Sequence, residues 1–233
     1  MKISLLVPTR GRPMNMHRVW TSALSTANNK EDLEIIFYID DDDSESIEKF
    51  DSMKNNQVKA VFGNRICLSQ CWNKALEASS GDILWHGGDD NIFRTKGWDD
   101  IVRNEFNKYE DKMVFVFGRD GINDGCLGTH GFLHRNWVDV AGYFCPPYFV
   151  SDYNDTWFND VFNDVGRRIF NDNFYIEHCH WLNHKATIDK THAERLERHK
   201  KEDVDNLYLN LRHKRDEDIL KIKNFIAAKS KEK

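Results

Sequence analysis

The feature that most limits the fold is the alternation of short apolar runs with longer amphipathic segments over the first ninety residues. Residues 3–7, 34–39, 58–62 and 82–85 are short and apolar, as expected of buried strands. Residues 15–27 and 68–78 have helical spacing. Strands alternating with helices predict an α/β fold with a mainly parallel central sheet flanked by helices.

The second half of the chain is less regular. Residues 113–117 and 174–180 predict two further strands, residues 118–131 a glycine-rich loop, and residues 154–165 a helix. From residue 190 onward the chain is charged, with a thin apolar stripe that predicts one or two helices. Because no Pro/Gly/Ser-rich linker interrupts the chain, we expect one domain over residues 1–190 and a helical appendage over residues 191–233.

Composition excludes several classes of protein. A net charge of -5 gives no global field for a polyanion, and the basic clusters of the tail are more typical of a solvated helix face than of a nucleic-acid patch. Five scattered cysteines without CxxC spacing indicate reduced thiols. No apolar run is long enough for a signal peptide or a membrane span, which favours a cytoplasmic location.

Polar residues follow three of the predicted strands. They are residues 9–12, the aspartates at 40–43, and Asp89 and Asp90 after two glycines. In open α/β sheets, ligands bind outside the carboxyl ends of the strands. Carboxylates there can hold Mg²⁺ or Mn²⁺ beside a diphosphate, although Gly-Gly-Asp-Asp is also a common surface turn. Apolar residues on both sides of Asp89 and Asp90 favour a site over a turn.

These motifs resemble a known family. The sequences SLLVPTRGR at 4–12, YIDD at 38–41, NKAL at 73–76 and GDIL at 81–84, leading into Asp89 and Asp90, are similar to the successive nucleotide-binding motifs of family 2-like glycosyltransferases with the GT-A fold. The resemblance covers residues 1–100 well and continues more weakly to about residue 192. Residues 95–98 also resemble small members of this family that bacteriophages encode. This resemblance implies that the protein acts in the cytoplasm of the host cell.

The resemblance implies an inverting transfer of a sugar from a nucleotide diphosphate sugar, most often a UDP-sugar, to a hydroxyl group. Residues 1–100 would form the nucleotide-sugar-binding half and residues 101–190 the acceptor half. The implied nucleotide-sugar-binding residues are Pro8, Thr9, Arg10, Arg12, Asp40, Asp41, Asn73, Asp89 and Lys185. The implied acceptor is a glycan, a protein or a modified base such as that of hydroxymethylated DNA.

The family's DxD motif, which holds Mn²⁺ or Mg²⁺, is altered here. Gly88 stands where the first aspartate would be, which leaves Asp90 as the expected metal ligand. The family often adds a late histidine. His178 and His180 lie two residues apart and face the same side of a predicted strand, so either can complete the site, and the sequence does not choose between them.

An inverting transfer also needs a carboxylate that takes the proton of the acceptor hydroxyl. The resemblance favours Asp155, before an aromatic-rich helix, with Asp152 as its chief rival and Asp160 as a further competitor. Any of the three can instead cap the helix. Two other functions remain open: a sugar nucleotidyltransferase, and a non-catalytic module that binds a nucleotide sugar or a glycan.

Overall fold

The computed structural model describes residues 1–231, in which strands and helices alternate through most of the chain. The strands are β1 (Ile3–Thr9), β2 (Leu33–Asp40), β3 (Val58–Gly63), β4 (Ile83–His86), β5 (Asn91–Phe93), β6 (Phe115–Arg119), β7 (Gly131–His134) and β8 (Arg168–His178). The helices are α1 (Pro13–Thr26), α2 (Ser44–Met53), α3 (Leu68–Glu77), α4 (Trp98–Asn107), α5 (Arg135–Ala141), α6 (Asn154–Asp164), α7 (Lys190–Lys201), α8 (Val204–Asn210) and α9 (Arg212–Lys231).

The strands form a single curved sheet in the order β3-β2-β1-β4-β7-β6-β8-β5. Parallel pairing joins β3, β2, β1 and β4, and it also joins β6 to β8. The pairings of β7 with β4 and β6, and of β5 with β8, are antiparallel. Because β7 runs against β4, the start of β7 lies beside the end of β4, and this pairing contributes to the functional site.

The sheet separates two apolar layers. Along β1, Leu5 and Val7 pack with Val19 of α1, whereas Leu6 packs on the opposite face with Trp72 of α3. This alternation follows from the two-residue period of a strand. Every residue of β2 is buried, as expected for a central strand covered by helices on both faces. The predicted helix-flanked, mainly parallel sheet is therefore confirmed.

Several elements differ from those predicted. Helix α2 was not predicted because it has only two buried residues, Ser46 and Phe50, and so lacks an apolar period. It begins where the Asp43 side chain accepts a hydrogen bond of 3.3 Å from the backbone N of Ser46. Helices α4 and α5 were also missed, and β8 begins six residues earlier than the predicted strand at 174.

The charged C-terminal segment forms three helices over its described residues, rather than one or two. Helix α9 buries Ile219 and Ile222 in the same apolar layer as Trp157 of α6. The Trp157 indole also donates a hydrogen bond of 3.2 Å to the buried carboxylate of Asp218. The segment thus packs on the sheet domain, and the boundary at residue 190 stays a prediction. No helix within residues 1–231 is long and apolar enough to cross a membrane.

Candidate functional site

A cavity of about 370 Å³ opens where β1, β2 and β4 end, and most of the predicted site residues line it. Those on the cavity wall are Pro8, Thr9, Arg10, Arg12, Asp40, Asp89, Asp90, Asp152, Asp155, His178 and His180. Parallel strands place their carboxyl ends at one edge of the sheet, which explains why residues so far apart in sequence meet there.

Two glycines shape the approach to the aspartate pair. A Cβ atom at Gly87 would lie 2.2 Å from the Trp85 ring, and one at Gly88 would lie 2.7 Å from the Asp90 carboxylate. A side chain at either position would therefore displace groups that form the site. The backbone oxygen of Gly87 accepts a hydrogen bond of 3.0 Å from the indole of Trp72, which fixes the turn against α3.

Asp89 faces the residues that follow β1. Its carboxylate accepts a hydrogen bond of 2.8 Å from the Thr9 hydroxyl and one of 3.2 Å from the Arg12 guanidinium. Burial raises the pKa of Asp89, and the positive charge of Arg12 opposes that shift. Asp89 therefore anchors Arg12 at the cavity wall.

Asp90 lies beside two histidines. Its Oδ2 atom is 3.4 Å from Nε2 of His178, because the pairing of β5 with β8 aligns these chain segments. His130, immediately before β7, completes a cluster in which one ligand atom of each residue lies within 4.8 Å of the others. Burial opposes the ionised form of Asp90, but the hydrogen bond with His178 and the nearby positive charges together outweigh it and lower the pKa of Asp90.

The cluster fits a divalent metal ion. Ligands bonded at about 2.1 Å lie within roughly 4.2 Å of one another, close to the separations in this cluster. Neither ring nitrogen of His130 has a hydrogen-bond partner, and Nδ1 of His178 also has none among the described residues. Burial lowers the pKa of His130 to about 3, which keeps its imidazole in the neutral form that binds metals.

His130 was not identified from the sequence. It lies in the segment predicted as a glycine-rich loop, next to the four-residue strand Gly131–His134. The available signal was a lone histidine between Gly128-Thr129 and Gly131, before a short apolar pair. Only the antiparallel pairing of β7 with β4, which matches His86 with Gly131, brings His130 to the aspartates.

His180 lines the cavity but lies outside the three-residue cluster. Its ring accepts a hydrogen bond of 3.3 Å from the backbone N of Leu182, and it caps a short 3-10 helix. Burial lowers the pKa of His180 to about 4. Of the two histidines that the sequence left open, His178 is therefore the one placed beside Asp90.

Tyr38, Asp40, Arg65 and Trp72 also line the cavity. The Asp40 carboxylate accepts a hydrogen bond of 2.7 Å from Arg10. Burial raises the pKa of Asp40, while its pairing with Arg10 opposes the shift. A buried carboxylate on the cavity wall offers a hydrogen-bond acceptor to a polar group of a ligand.

Three predicted residues do not line this cavity. The side chain of Asn73 holds the loop after α5, accepting hydrogen bonds of 3.0 and 2.9 Å from the backbone N of Phe144 and Cys145. Asp41 is exposed at the turn after β2. Lys185 pairs with Glu177 and lines a second cavity, of about 420 Å³, on the other side of Asp90.

The two candidate bases have different surroundings. Asp152 is held by Arg195 and by His199, whose Nδ1 is 2.7 Å away, and these partners outweigh burial and lower its pKa. Asp155 accepts hydrogen bonds only from Thr156, at 2.8 and 3.4 Å, and pairs with no basic side chain within residues 1–231. Burial raises the pKa of Asp155. Asp155 is thus the carboxylate better suited to accept a proton.

Helix α7 forms a wall of the cavity that the sequence did not predict. Thr191, His192, Arg195 and Arg198 line the cavity from this helix. Asp189, at its start, accepts hydrogen bonds of 2.8 and 3.0 Å from Arg12. These residues lie at or beyond the end of the family resemblance, which carried no information about them.

Comparisons with protein-family models and with curated proteins find no match. Solved structures do match. A fragment of S. aureus TarS in complex with UDP-GlcNAc is 12% identical with a TM-score of 0.61, covering 76% of this chain and 58% of that one. The mannosyltransferase PcManGT from Pyrobaculum calidifontis, in complex with GDP-Man and Mn²⁺, is 13% identical with a TM-score of 0.63, covering 98% and 75%.

A longer TarS structure is 14% identical with a TM-score of 0.57, and the chain spans only 36% of its length. At these identities the comparisons establish the fold alone. The predicted GT-A fold is confirmed by them, whereas the predicted phage-type likeness stays a prediction.

Proposed function

We propose that this chain is a metal-dependent, inverting glycosyltransferase that moves a sugar from a nucleotide diphosphate sugar, such as a UDP-sugar, to an acceptor hydroxyl. One observation supports this above the others. A single cavity at the carboxyl edge of a GT-A sheet holds a metal-ligand cluster, a carboxylate free to accept a proton, and the buried carboxylate of Asp40. The matched solved structures, which bind UDP-GlcNAc or GDP-Man, support the donor class.

The proposed donor lies along this cavity. Its base would lie against Tyr38 and Asp40, and its diphosphate near Asp90 and Arg12. Asp90, His130 and His178 would hold a divalent ion, which when bound would supply positive charge to the departing diphosphate. Arg12, held in place by Asp89 and Asp189, adds a second positive charge at the same place.

Asp155 acts as the general base in this proposal. Its carboxylate takes the proton of the acceptor hydroxyl while the oxygen attacks the anomeric carbon from the face opposite the diphosphate. A new glycosidic bond forms as the bond between the anomeric carbon and the phosphate oxygen breaks. The bond electrons leave with the nucleotide diphosphate. The raised pKa of Asp155 makes it a stronger proton acceptor than Asp152.

The test compares Asp155→Asn with two other asparagine variants, using mass spectrometry to follow sugar transfer from a panel of nucleotide sugars. Hydroxymethylated DNA, simple glycans and a protein serve as acceptors. We expect Asp155→Asn to lower kcat by about 10² to 10⁴-fold, the usual contribution of a general base, with donor binding preserved. Asp160→Asn is the matched control, since Asp160 lies on the same helix but outside the cavity wall.

Full activity of Asp155→Asn would remove this carboxylate from the mechanism, and selective loss in Asp152→Asn would transfer the role to Asp152. Release of pyrophosphate from a nucleoside triphosphate would instead favour a nucleotidyltransferase. Donor binding with no transfer to any acceptor would favour a binding module.

A further inference from the structure

Five arginines line the cavity in which the donor is proposed to lie, and four of them pair with carboxylates. The pairs are Arg10 with Asp40, Arg12 with Asp89, Arg65 with Glu194, and Arg195 with Asp152. Arg198 of α7 is the fifth. Within residues 1–231 its guanidinium takes part in no ion pair and no hydrogen bond, and its Nε atom is buried. Arg198 is therefore the cavity arginine whose charge is left for a ligand.

Helix α7 places Arg198 on the cavity wall. Thr191, Arg195 and Arg198 are spaced by four and three residues, so they share one face of the helix, and all three line the cavity. The ion pair of Arg195 with Asp152 holds this face against the cavity. A neighbouring contact thus keeps Arg198 in place, while its own guanidinium stays available.

The lack of a partner is costly for this side chain. A guanidinium carries a permanent positive charge and several N–H donors, and it has no acceptor. A buried donor such as Nε loses the hydrogen bond that it makes to water in the unfolded chain, unless another acceptor replaces the water. A negatively charged oxygen is the strongest replacement, because hydrogen bonds between charged groups are stronger than those between neutral groups.

Arg198 belongs to the donor cavity and not to the second cavity. Arg12 and His192 line both cavities, whereas Arg198 lines only the first of the two. Burial raises the pKa of the Cys71 thiol, the charge of Asp40 raises it further, and the charge of Arg198 opposes the rise. Asp40 and Arg198 therefore both act on Cys71, which lines the cavity where the nucleotide is proposed to bind.

The negative charge of a nucleotide diphosphate lies on its phosphates. A planar guanidinium can donate to two oxygens of one phosphate at once, which gives the pair both strength and a fixed geometry. At each of the other four cavity arginines, a carboxylate competes with the phosphate for the same N–H groups. Arg198 has no such competitor within the described residues.

We infer that Arg198 binds a phosphate oxygen of the nucleotide donor, so that α7 forms part of the donor site. The inference rests on the proposed function, and it adds a residue beyond the end of the family resemblance at about residue 192. Because His192 is the one buried residue of α7, a bound diphosphate should also fix the helix over the cavity.

The experiment titrates the full-length protein with UDP and with uridine by calorimetry in the presence of Mn²⁺, and GDP and guanosine are tested in the same way. We expect Arg198→Gln to weaken diphosphate binding by about tenfold or more, because hydrogen bonds to a charged group are lost, and nucleoside binding by less than about twofold. Arg198→Lys keeps the charge but not the planar fork, so its loss should be intermediate.

Lys200→Gln is the matched control, since it removes an exposed charge of the same helix outside the cavity wall. We expect it to change UDP binding by less than about twofold. An equal loss in Lys200→Gln and Arg198→Gln would indicate a general effect of charge and would overturn the inference.

Hydrogen exchange followed by mass spectrometry separates binding from folding. UDP should slow exchange on α7 peptides of the wild type by about tenfold, and on those of Arg198→Gln by less than about twofold. Without UDP, the two proteins should exchange at the same rate. Faster exchange on α7 of the unliganded variant would assign Arg198 a structural role and overturn the inference. Where nucleoside binding is too weak to measure, this comparison decides.

Unchanged UDP binding in Arg198→Gln would overturn the inference and leave the proposed function standing. Equal losses for UDP and uridine would assign Arg198 to the nucleoside, and a raised KM for the acceptor alone would assign it to the acceptor, so either result would also overturn it. If the wild type binds neither UDP, GDP nor a nucleotide sugar, the proposed function fails, and the inference fails with it.

Discussion

Glu34 is a carboxylate that lies wholly inside the protein, on β2. It accepts hydrogen bonds of 2.7 Å from Ser4, 2.6 Å from the backbone N of Ser80, and 2.8 Å from both Lys2 and Lys59. Burial by itself would raise its pKa, but the hydrogen bonds from Lys2, Lys59 and Ser4 outweigh it and lower the pKa of Glu34 to about 2. This polar cluster joins β1, β2, β3 and the turn before β4.

The lowered pKa of Glu34 makes the stability of the fold depend on pH. A depressed folded-state pKa stabilises the protein above the unfolded-state value of about 4.3, and this stabilisation is lost as the pH falls toward 2. We expect Glu34→Gln to lower the free energy of unfolding by on the order of 2 kcal/mol at pH 7. Denaturant unfolding at a series of pH values should show the difference from wild type shrinking between about pH 4.3 and pH 2.

Glu77→Gln is the control for this measurement, because Glu77 is exposed and, within residues 1–231, its one ion pair is with Lys74 on the surface of α3. Its effect should be small at every pH. A difference between wild type and Glu34→Gln that stays constant down to pH 2 would contradict the linkage.

At the scale of residues, the sequence indicates a candidate site residue most clearly where that residue follows a strand directly. Asp40, Asp89 and Asp90 are visible in the sequence because apolar strands precede them, and the structure brings all three to one cavity. His130 was invisible because its position depends on the pairing of a four-residue strand with a distant one. The residues around a short strand do not indicate which distant strand it pairs with.

At the scale of elements, helix α7 crosses the cavity as a wall held by ion pairs. Asp189 pairs with Arg12 after β1, Glu194 with Arg65 after β3, and Arg195 with Asp152 before α6. Only one residue of the helix, His192, is buried. Because little apolar surface holds α7, its position depends on these charges and on the cap at its start. Sequence analysis recognises contacts between elements mainly from periodic apolar residues, and ion pairs leave no such pattern. The sequence therefore did not indicate that α7 lines the cavity.

We expect Asp189→Ala to loosen α7 without affecting the sheet. The change removes a hydrogen bond of 3.0 Å to the backbone N of His192 and both bonds to Arg12. Losing a helix cap costs about 1 kcal/mol, which corresponds to roughly fivefold faster amide exchange over the helix. Hydrogen exchange followed by mass spectrometry measures this on peptides from α7 and from β1.

Asp189→Asn separates the contribution of the helix cap from that of the ion pair with Arg12. Asparagine caps a helix as well as aspartate does, but it carries no charge to pair with Arg12. Its exchange rates should lie between those of the wild type and Asp189→Ala. Equal acceleration on β1 and α7 peptides would indicate global destabilisation and would contradict a local role.

At the scale of the whole molecule, the second apolar layer joins the sheet to the end of the chain. Helix α9 presents Asp218, Ile219 and Ile222 to α5 and α6, and α8 adds Val204 and Tyr208. The sequence predicted the apolar stripe of this segment correctly. It could not predict what the stripe packs against, since the charged surroundings are equally typical of a separate appendage.

We expect Ile222→Ala to destabilise the whole domain. The side chain is fully buried between the helix and the sheet domain, so its truncation leaves a cavity that costs about 2 to 4 kcal/mol. Guanidinium unfolding followed by tryptophan fluorescence should show one transition at lower denaturant concentration. Leu220→Ala, on the exposed side of the same helix, should change the free energy of unfolding by about 0.5 kcal/mol or less. A separate early transition for the tail would contradict its integration into the core.

The packing of α9 also sets an order of events during synthesis. The nascent chain emerges from its amino terminus, and domains fold as their residues leave the ribosome. Tyr143 and Trp157 both donate hydrogen bonds to Asp218 of α9, so they lack this partner until residue 218 has emerged. Through that interval the growing chain leaves these two aromatic side chains without α9, and chaperones that bind exposed aromatic groups have their longest opportunity to act.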